Sequence, residues 1–289
     1  MPDFGALPLG FWVLGAGLLG LVVGSFLNVV IHRLPLMMER QWQADAHATL
    51  HPDAPSAPQE RFDLIAPRSR CPACGHPIAW WENIPLLSYA LLRGRCSACG
   101  TPISLRYPLV ELITALLSAA VVWRWGPGWD SAAYLALLWA LITLALIDFD
   151  TTLLPDSITL PLLWLGLIWQ AGLHSERLPS AVWGAVIGYL SLWLVYQVFK
   201  LLTGKEGMGF GDFKLFAALG AWFGVAALLP IILLSSVCGA VIGIALQLLG
   251  RTERGRPIPF GPFLAAAGMV LLLIGPATLV ALILPASGA

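Results

Sequence analysis

Residues 131–150 read SAAYLALLWALITLALIDFD, an uncharged apolar stretch that ends in two acidic residues. Such a run is about the length that an α-helix needs to cross the roughly 30 Å hydrocarbon core of a bilayer. The whole chain has the same character, because 58% of its 289 residues are hydrophobic, 11% are charged and the mean hydropathy is +0.81. Soluble domains carry about a quarter charged residues, so the composition excludes a soluble globular protein.

The same hydropathy pattern recurs along the chain and predicts an all-α polytopic membrane protein with about eight transmembrane helices. The division between the sixth and seventh spans is the weakest, and it rests on Pro230 following Gly224, which predicts a tight turn. Seven spans is the main alternative. The first ten residues contain Asp3 and no basic residue, so we interpret the first run as a retained span rather than a cleavable signal peptide. The predicted spans are 8–31, 106–125, 131–149, 154–173, 180–202, 212–227, 229–249 and 259–284.

The basic residues predict the orientation of these spans. Fourteen of the 16 Lys and Arg residues fall within 32–106, 200–214 and 250–258. Cytoplasmic loops of membrane proteins carry an excess of Lys and Arg. We therefore expect a multi-pass protein of the bacterial inner (cytoplasmic) membrane with both termini in the periplasm. The predicted domains are residues 1–31 as the first transmembrane helix, 32–106 as a cytoplasmic loop and 107–289 as a transmembrane core.

The cytoplasmic loop contains a repeated cysteine motif. CPACGHPI at 71–78 and CSACGTPI at 96–103 each begin with C-x-x-C-G, whereas residues 41–60 are predicted to be a flexible loop. Four thiolates from two such knuckles form a closed tetrahedral Zn²⁺ site, so we predict a small zinc-ribbon-like module with a structural metal. Iron in the same site, two disulfides and a redox role are the alternatives, and disulfides are disfavoured in the reducing cytoplasm. The predicted ligands are Cys71, Cys74, Cys96 and Cys99. His76 could compete as a metal ligand, but the four cysteines already complete the site.

Two aspartates lie at the ends of predicted spans. Asp148 ends the third span and Asp212 opens the sixth, so the predicted topology places both at the cytoplasmic face although they are 64 residues apart. Charged groups inside spans are costly and mark functional sites. Two carboxyls that share a site cannot both ionise easily, so one holds a proton. The charged one can activate water against an amide while the protonated one polarises the carbonyl. The pair predicts aspartyl hydrolysis.

The other polar residues near the membrane also have structural interpretations. Asp150 is expected in a loop, pointing away from Asp148, and Asp156 is expected to cap the fourth span. Glu111 is expected either to pair with Arg106 or to anchor the cysteine module. Lys214 is either a positive-inside residue or a neighbour that tunes Asp212. The remaining signal is a set of glycines that permit close backbone approach: Gly207, Gly209 and Gly211.

At these residues the chain resembles the type IV prepilin peptidases, the bifunctional leader peptidase and N-methyltransferase family that also serves type II secretion. The resemblance runs from about residue 20 to 263 and includes the G-x-G-D motif of this family of intramembrane aspartyl proteases. The matching motifs are Gly209-Phe210-Gly211-Asp212 followed by Phe213 and Lys214, Asp148-Phe149 with Pro155-Asp156, Gly24 to Val29 with Arg33-Leu34-Pro35, Glu82-Asn83-Ile84-Pro85, and Tyr107 to Glu111.

The resemblance implies an activity, partners and a second cofactor. It implies leader-peptide cleavage of type IV prepilins and pseudopilins by Asp148 and Asp212 at the cytoplasmic face, followed by methylation of the new N-terminal residue with S-adenosylmethionine. The partners are then these substrates and the lipid bilayer, with no nucleic acid, and the oligomeric state stays open. Residues that bind the methyl donor are unknown, since no G-x-G-x-x-G follows a strand. Gly94 offers one candidate point of close approach.

Two other functions compete with this interpretation. Intramembrane aspartates and glycine-rich breaks also mark ion pathways, but a transporter site belongs near the membrane midplane. An assembly scaffold that docks partners on the cysteine module would leave the two intramembrane acids unexplained.

Overall fold

The computed structural model describes residues 7–52, 61–250, 258–275 and 278. Within these ranges the chain is helical, with short 3₁₀ turns and two isolated β-bridges in the cysteine module in place of strands. It divides into two compact units, Met1–Ser131 and Ala132–Ala289. The α-helices are α1 (Leu9–Leu50), α2 (Leu87–Leu91), α3 (Arg106–Trp125), α4 (Trp129–Thr151), α5 (Asp156–Leu173), α6 (Leu178–Thr203), α7 (Phe210–Phe223), α8 (Leu228–Leu248) and α9 (Gly261–Ile274).

The helices confirm the polytopic all-α prediction. In the described part of the chain, each predicted span coincides with one of the eight longer helices. The break between the sixth and seventh spans lies at Gly224, which has φ +80° and ends α7. The number of eight membrane crossings stays a prediction, because α5, α7 and α9 are not among the segments that are long and apolar enough to cross a membrane, and α7 and α9 have only 14 described residues each. Among the residues that the structure describes, five segments are long and apolar enough to cross a membrane: Leu9–Leu50, Arg106–Trp125, Trp129–Thr151, Ser175–Thr203 and Val225–Leu248.

The first helix is longer than its predicted span. α1 continues through Pro35 to Leu50, so the flexible loop predicted for 41–60 is wrong for residues 41–50, and residues 53–60 lie outside the described residues. The reason is local composition. Gln, Ala and Glu are good helix formers, and Gln43 hydrogen-bonds Glu39 one turn earlier at 3.3 Å. After Pro35, the next proline of the chain is Pro52, just beyond the helix.

Small residues bring α1 against α3 in the first unit. A Cβ added to Gly20 would lie 2.8 Å from the Cα of Ala115, and one added to Gly24 would lie 2.8 Å from the Cα of Glu111. Without side chains at these positions the two backbones approach closely, as they do at small-residue contacts between membrane helices.

Buried charged groups of α1 and α3 hold the intervening segment. Arg33 of α1 is 8% exposed and donates to the carbonyl oxygens of Asp63 and Pro67 at 2.8 and 2.6 Å. Glu111 of α3 accepts a 2.9 Å hydrogen bond from the backbone N–H of Leu86. Glu111 therefore anchors the segment that carries the cysteine module, which was one of its two predicted roles.

In the second unit, α7 lies at the centre. Its residues from Leu215 to Trp222 are all buried. Gly184 of α6 and Gly220 of α7 meet so closely that a Cβ on either would overlap the carbonyl oxygen of the other. On the α5 side, the Trp222 indole donates to the Leu162 carbonyl at 2.9 Å, and Gln170 donates to the Trp222 carbonyl at 2.8 Å. These contacts hold the helix that begins at the G-x-G-D motif.

Candidate active site

The two predicted aspartates come together in the second unit. Asp148 lies in the last turn of α4 and Asp212 in the first turn of α7. Both side chains are buried, at 4% and 7% exposure, and the charge of Asp148 acts on Asp212. The packing of α7 therefore joins two carboxyl groups that are distant in sequence.

Helix N-termini face both carboxyl groups. The backbone amide of Gly209, at the start of α7, hydrogen-bonds Asp212, and the amide of Gly261, the first residue of α9, hydrogen-bonds Asp148. The N-terminus of a helix carries a partial positive charge that stabilises an anion. Within the described residues, Oδ2 of Asp148 and Oδ1 of Asp212 are buried without a hydrogen-bond partner. A bound water or ligand would supply the missing hydrogen-bond partner of each oxygen.

Two glycines leave room for this arrangement. A Cβ on Gly261 would lie 2.5 Å from Oδ2 of Asp148 and 3.0 Å from Leu154, and a Cβ on Gly211 would lie 2.6 Å from Cβ of Leu154. The sequence predicts that Gly207, Gly209 and Gly211 let other groups approach the backbone closely. At Gly207 and Gly211 these groups are the protein's own side chains, and a Cβ on Gly207 would lie 2.8 Å from the Phe199 ring. A Cβ on Gly209 would lie 4.0 Å from Oδ2 of Asp212, which is ordinary van der Waals contact.

Three consecutive residues at the start of α7 interact with three different helices. Asp212 is buried near enough to Asp148 of α4 for their charges to interact. Phe213 is fully buried against α6, with ring centroids 5.9 Å from Tyr189 and 5.7 Å from Tyr196. Lys214 reaches α5, where its Nζ lies 2.7 Å from each carboxylate oxygen of Asp156. Successive residues of a helix point about 100° apart, so one turn is held from three sides.

The connection before α7 is tied back to α6. Lys200 donates to Glu206 at 2.8 Å and to the Tyr196 hydroxyl at 3.3 Å. The Lys200 ammonium lowers the pKa of the Glu206 carboxyl, first through this hydrogen bond and then through its charge. This exposed ion pair fastens the connection between α6 and α7 to the end of α6.

Two expectations about neighbouring acids need correction. Asp150 lies in the last turn of α4 rather than in a loop, although it is exposed and so does point away from Asp148. Asp156 does not cap α5, because Pro155 occupies the cap position and the Asp156 carboxylate is held by Lys214.

Sequence reasoning missed Gly261 and Leu154 as parts of the site. Pro262 after Gly261 is a signal for a helix start, but nothing in the local sequence shows that this start faces Asp148. Leu154 carries no signal that separates it from other apolar residues.

The first unit brings the four predicted cysteine ligands together. The Sγ atoms of Cys71, Cys74, Cys96 and Cys99 all lie within 4.8 Å of one another. With Zn–S bonds of about 2.3 Å, a tetrahedron has edges of about 3.8 Å, and the Cys71 and Cys99 sulfurs are 3.8 Å apart. The donor set therefore fits a four-thiolate metal site.

The two knuckles have the same backbone structure. The N–H of Cys71 bonds the carbonyl of His76 and that of Cys96 bonds the carbonyl of Thr101, both at 2.9 Å. Gly75 and Gly100 turn each loop with φ of +72° and +73°, a conformation that glycine adopts without strain. The Thr101 hydroxyl, followed by its backbone amide, lowers the pKa of the Cys99 thiol to about 6.

His76 and Gly94, which the sequence suggested as a competing metal ligand and a methyl-donor contact, lie against other residues of the module. His76 Nε2 lies 3.4 Å from a carboxylate oxygen of Glu82 and 3.4 Å from the Ser97 hydroxyl, so it links the knuckles. Beside Gly94, a Cβ would lie 2.6 Å from the Tyr89 hydroxyl. The space that was considered for a methyl donor at Gly94 is therefore filled by Tyr89.

Together the helical membrane fold and the two buried carboxyl groups define a class, a polytopic membrane protein with a pair of neighbouring buried acids. Two family profiles match the chain, the "Bacterial Peptidase A24 N-terminal domain" over residues 18–125 and the "Type IV leader peptidase family" over residues 135–244. The chain belongs to the type IV leader peptidase family.

Relatives that share a single name align with nearly the whole chain. Proteins named prepilin leader peptidase/N-methyltransferase are 58% identical in Stutzerimonas stutzeri, 57% in Aeromonas hydrophila and 56% in Pseudomonas aeruginosa. The alignments cover 93%, 89% and 93% of this chain and 92%, 89% and 92% of the relatives. No solved structure matches the chain.

Proposed function

We propose that this protein removes the leader peptide from type IV prepilins and pseudopilins and then methylates the new N-terminal residue with S-adenosylmethionine. The relatives described above are named for both activities, and they align with this chain over almost their full length. The matched peptidase family profile covers the helices that carry both aspartates. The protein is thus a prepilin peptidase with N-methyltransferase activity.

Asp148 and Asp212 are the proposed catalytic residues. The observation that carries this assignment is the burial of both carboxyls together, each with one oxygen that lacks a partner among the described residues. Both lie at helix ends, which favours a protease working at a membrane face over an ion pathway through the midplane.

The pair can perform amide hydrolysis in two proton-transfer steps. The ionised carboxylate takes a proton from water as the water oxygen bonds to the scissile carbonyl carbon, and the protonated carboxyl donates its proton to the carbonyl oxygen. When the tetrahedral intermediate collapses, the C–N bond breaks and the amine leaves with the proton that came from water. The intermediate's hydroxyl proton returns to the other carboxyl, so the pair ends as it began.

Replacement of either aspartate by asparagine tests this mechanism. Asp148→Asn and Asp212→Asn each remove an ionisable group while keeping its size, and each should abolish cleavage of a purified prepilin. The matched control is Asp150→Asn, an exposed residue in the same last turn of α4, which should retain cleavage. Gel shift of the pilin and mass spectrometry give the readout. A correctly inserted Asp148 or Asp212 variant that cleaves at the wild-type rate would remove that residue from the mechanism.

We further propose that Cys71, Cys74, Cys96 and Cys99 hold one structural zinc, for which the mutual distances of the four sulfurs are the support. A four-thiolate zinc has no open position, so it organises residues 61–106 and takes no part in proteolysis. Methyl transfer is assigned to the cytoplasmic segment 32–106 as a whole, and no residue is assigned to the donor.

The membrane placement completes the proposal. The chain lies in the bacterial inner membrane with both termini in the periplasm and the aspartates towards the cytoplasm, as the distribution of Lys and Arg indicates. The proposed division of the chain is residues 1–31 with the first membrane span, 32–106 as the cytoplasmic segment and 107–289 as the transmembrane peptidase core.

A further inference from the structure

The Lys214–Asp156 ion pair joins two helices next to the aspartate pair, and the mechanism above does not use it. Lys214 Nζ lies 2.7 Å from both oxygens of Asp156, although the two residues are 58 positions apart. Asp156 is the first residue of α5, and Lys214 lies in the first turns of α7. The pair is partly exposed, with side-chain exposures of 27% for Lys214 and 54% for Asp156.

The pair acts on α7 rather than directly on Asp212. Lys214 follows Asp212 by two positions, and side chains two apart on a helix point in different directions. Asp212 is buried and near enough to Asp148 of α4 for their charges to interact, whereas Lys214 binds Asp156 of α5. Any effect of Lys214 on the aspartates is therefore transmitted through the position of the helix that both residues share.

The ion pair lies beside the chain segment that lines the site. Leu154, two residues before Asp156, fills the space next to Gly211 and also the space next to Gly261. Gly261 in turn contacts Asp148. A shift of the start of α5 relative to α7 would therefore displace Leu154 and change the separation of the two carboxyls.

We infer that the Lys214–Asp156 ion pair is a positioning device that fastens the start of α7 to the start of α5 and thereby holds the Asp212 carboxyl in register with Asp148. This inference rests on the proposed function and adds two positioning residues to it. Neither residue touches the reacting atoms.

Loss of the Lys214–Asp156 ion pair should affect the rate of cleavage more than the stability of the protein. A partly exposed ion pair contributes little to overall stability. A displacement of about 1 Å at a catalytic group, however, can lower the rate about 100-fold. Loss of the pair should therefore lower kcat with little change in KM or in the thermal midpoint.

A double-mutant cycle in the full-length protein tests the inference. Asp156→Asn and Lys214→Gln should each lower kcat for prepilin cleavage by roughly tenfold, and the double variant should be no slower than the slower single variant, because both changes break the same contact. Lys214→Arg, which can still pair with Asp156, should stay within about threefold of the wild type. The charge control is Lys205→Gln, an exposed lysine in the connection before α7, which should leave kcat unchanged.

Three outcomes for kcat would overturn the inference. They are losses that multiply in the double variant, a Lys214→Arg protein as slow as Lys214→Gln, or single variants with unchanged kcat. An effect confined to KM would instead place Lys214 in substrate binding and would also overturn it. The proposed function fails separately, since its test is cleavage by Asp148→Asn or Asp212→Asn in the same assay.

Discussion

At the scale of single residues, the candidate site depends on the lack of a side chain at Gly261 as well as on the carboxyl groups of Asp148 and Asp212. Gly261 opens α9 and presents a backbone amide to the Asp148 carboxyl. A side chain at this position would occupy the space that the carboxyl group uses. Gly261 therefore sets the position of the Asp148 carboxyl, the proposed catalytic group, without itself taking part in the proposed chemistry.

Gly261→Ala should inactivate the protease while leaving both aspartates in place. The added methyl group would lie 2.5 Å from Oδ2 of Asp148, so the carboxyl must move, and a displacement of about 1 Å can cost about 100-fold in rate. The measurement is kcat for prepilin cleavage. Gly172→Ala in α5 is the matched control, because a Cβ there meets nothing within 4 Å. Equal activity of the two variants would contradict this role of Gly261.

At the scale of elements, α7 is held by backbone contact with α6 and by side-chain contact with α5. The Gly184–Gly220 contact allows the two helix backbones to touch. In lipid, helices associate through this kind of close packing, because burial of apolar surface supplies no driving force there. The same contact determines the height and rotation of α7, and so the direction in which Asp212 points.

Gly220→Leu should force α6 and α7 apart. The side chain would enter the backbone of α6 at Gly184, and overpacking of this kind destabilises a protein by about 1–3 kcal/mol. We expect a lower thermal midpoint in detergent together with loss of cleavage. Gly172→Leu, at an open position of α5, should change neither. A Gly220→Leu protein with the wild-type midpoint would show that this contact is not required.

At the scale of the whole molecule, the chain combines a helical membrane part with a small cysteine module of different construction. The module contains two isolated β-bridges, Arg70 with Pro77 and Arg95 with Pro102, and one five-residue helix. So small a segment lacks a sizeable apolar core, and a metal commonly supplies the missing stability in such cases. The proposed zinc would therefore serve folding of the cytoplasmic segment.

Purified protein should contain about one zinc per chain, since four thiolates complete one tetrahedral site. Elemental analysis measures this, and absence of metal with four free thiols would refute the proposal. Cys71→Ser should lower the zinc content, loosen the module and reduce methylation of the mature pilin N-terminus at least as much as leader removal. Mass spectrometry of the pilin gives both readouts. Cys238→Ser in α8 is the control, and it should keep the metal.

Much of the fold is determined by the sequence alone, because hydropathy and motif spacing are local properties. The apolar run before Asp148, the break at Gly224 and the two C-x-x-C-G knuckles predict the helices, the turn and the cysteine cluster that the structure contains. The same reasoning marked Asp148 and Asp212 as candidates. It failed for residues 41–50, where helix-forming residues were grouped with the proline-rich segment that follows.

The tertiary structure alone decided how these elements meet. That Asp148 lies against the start of α9, that Lys214 pairs with Asp156 rather than facing Asp212, and that Leu154 fills the space beside Gly211 all depend on contacts between distant segments. Hydropathy specifies that a helix is buried in a membrane but leaves its rotation and height undefined. Those two quantities are set by close packing, here by glycine contacts such as Gly184 with Gly220, and they determine which carboxyls share a site.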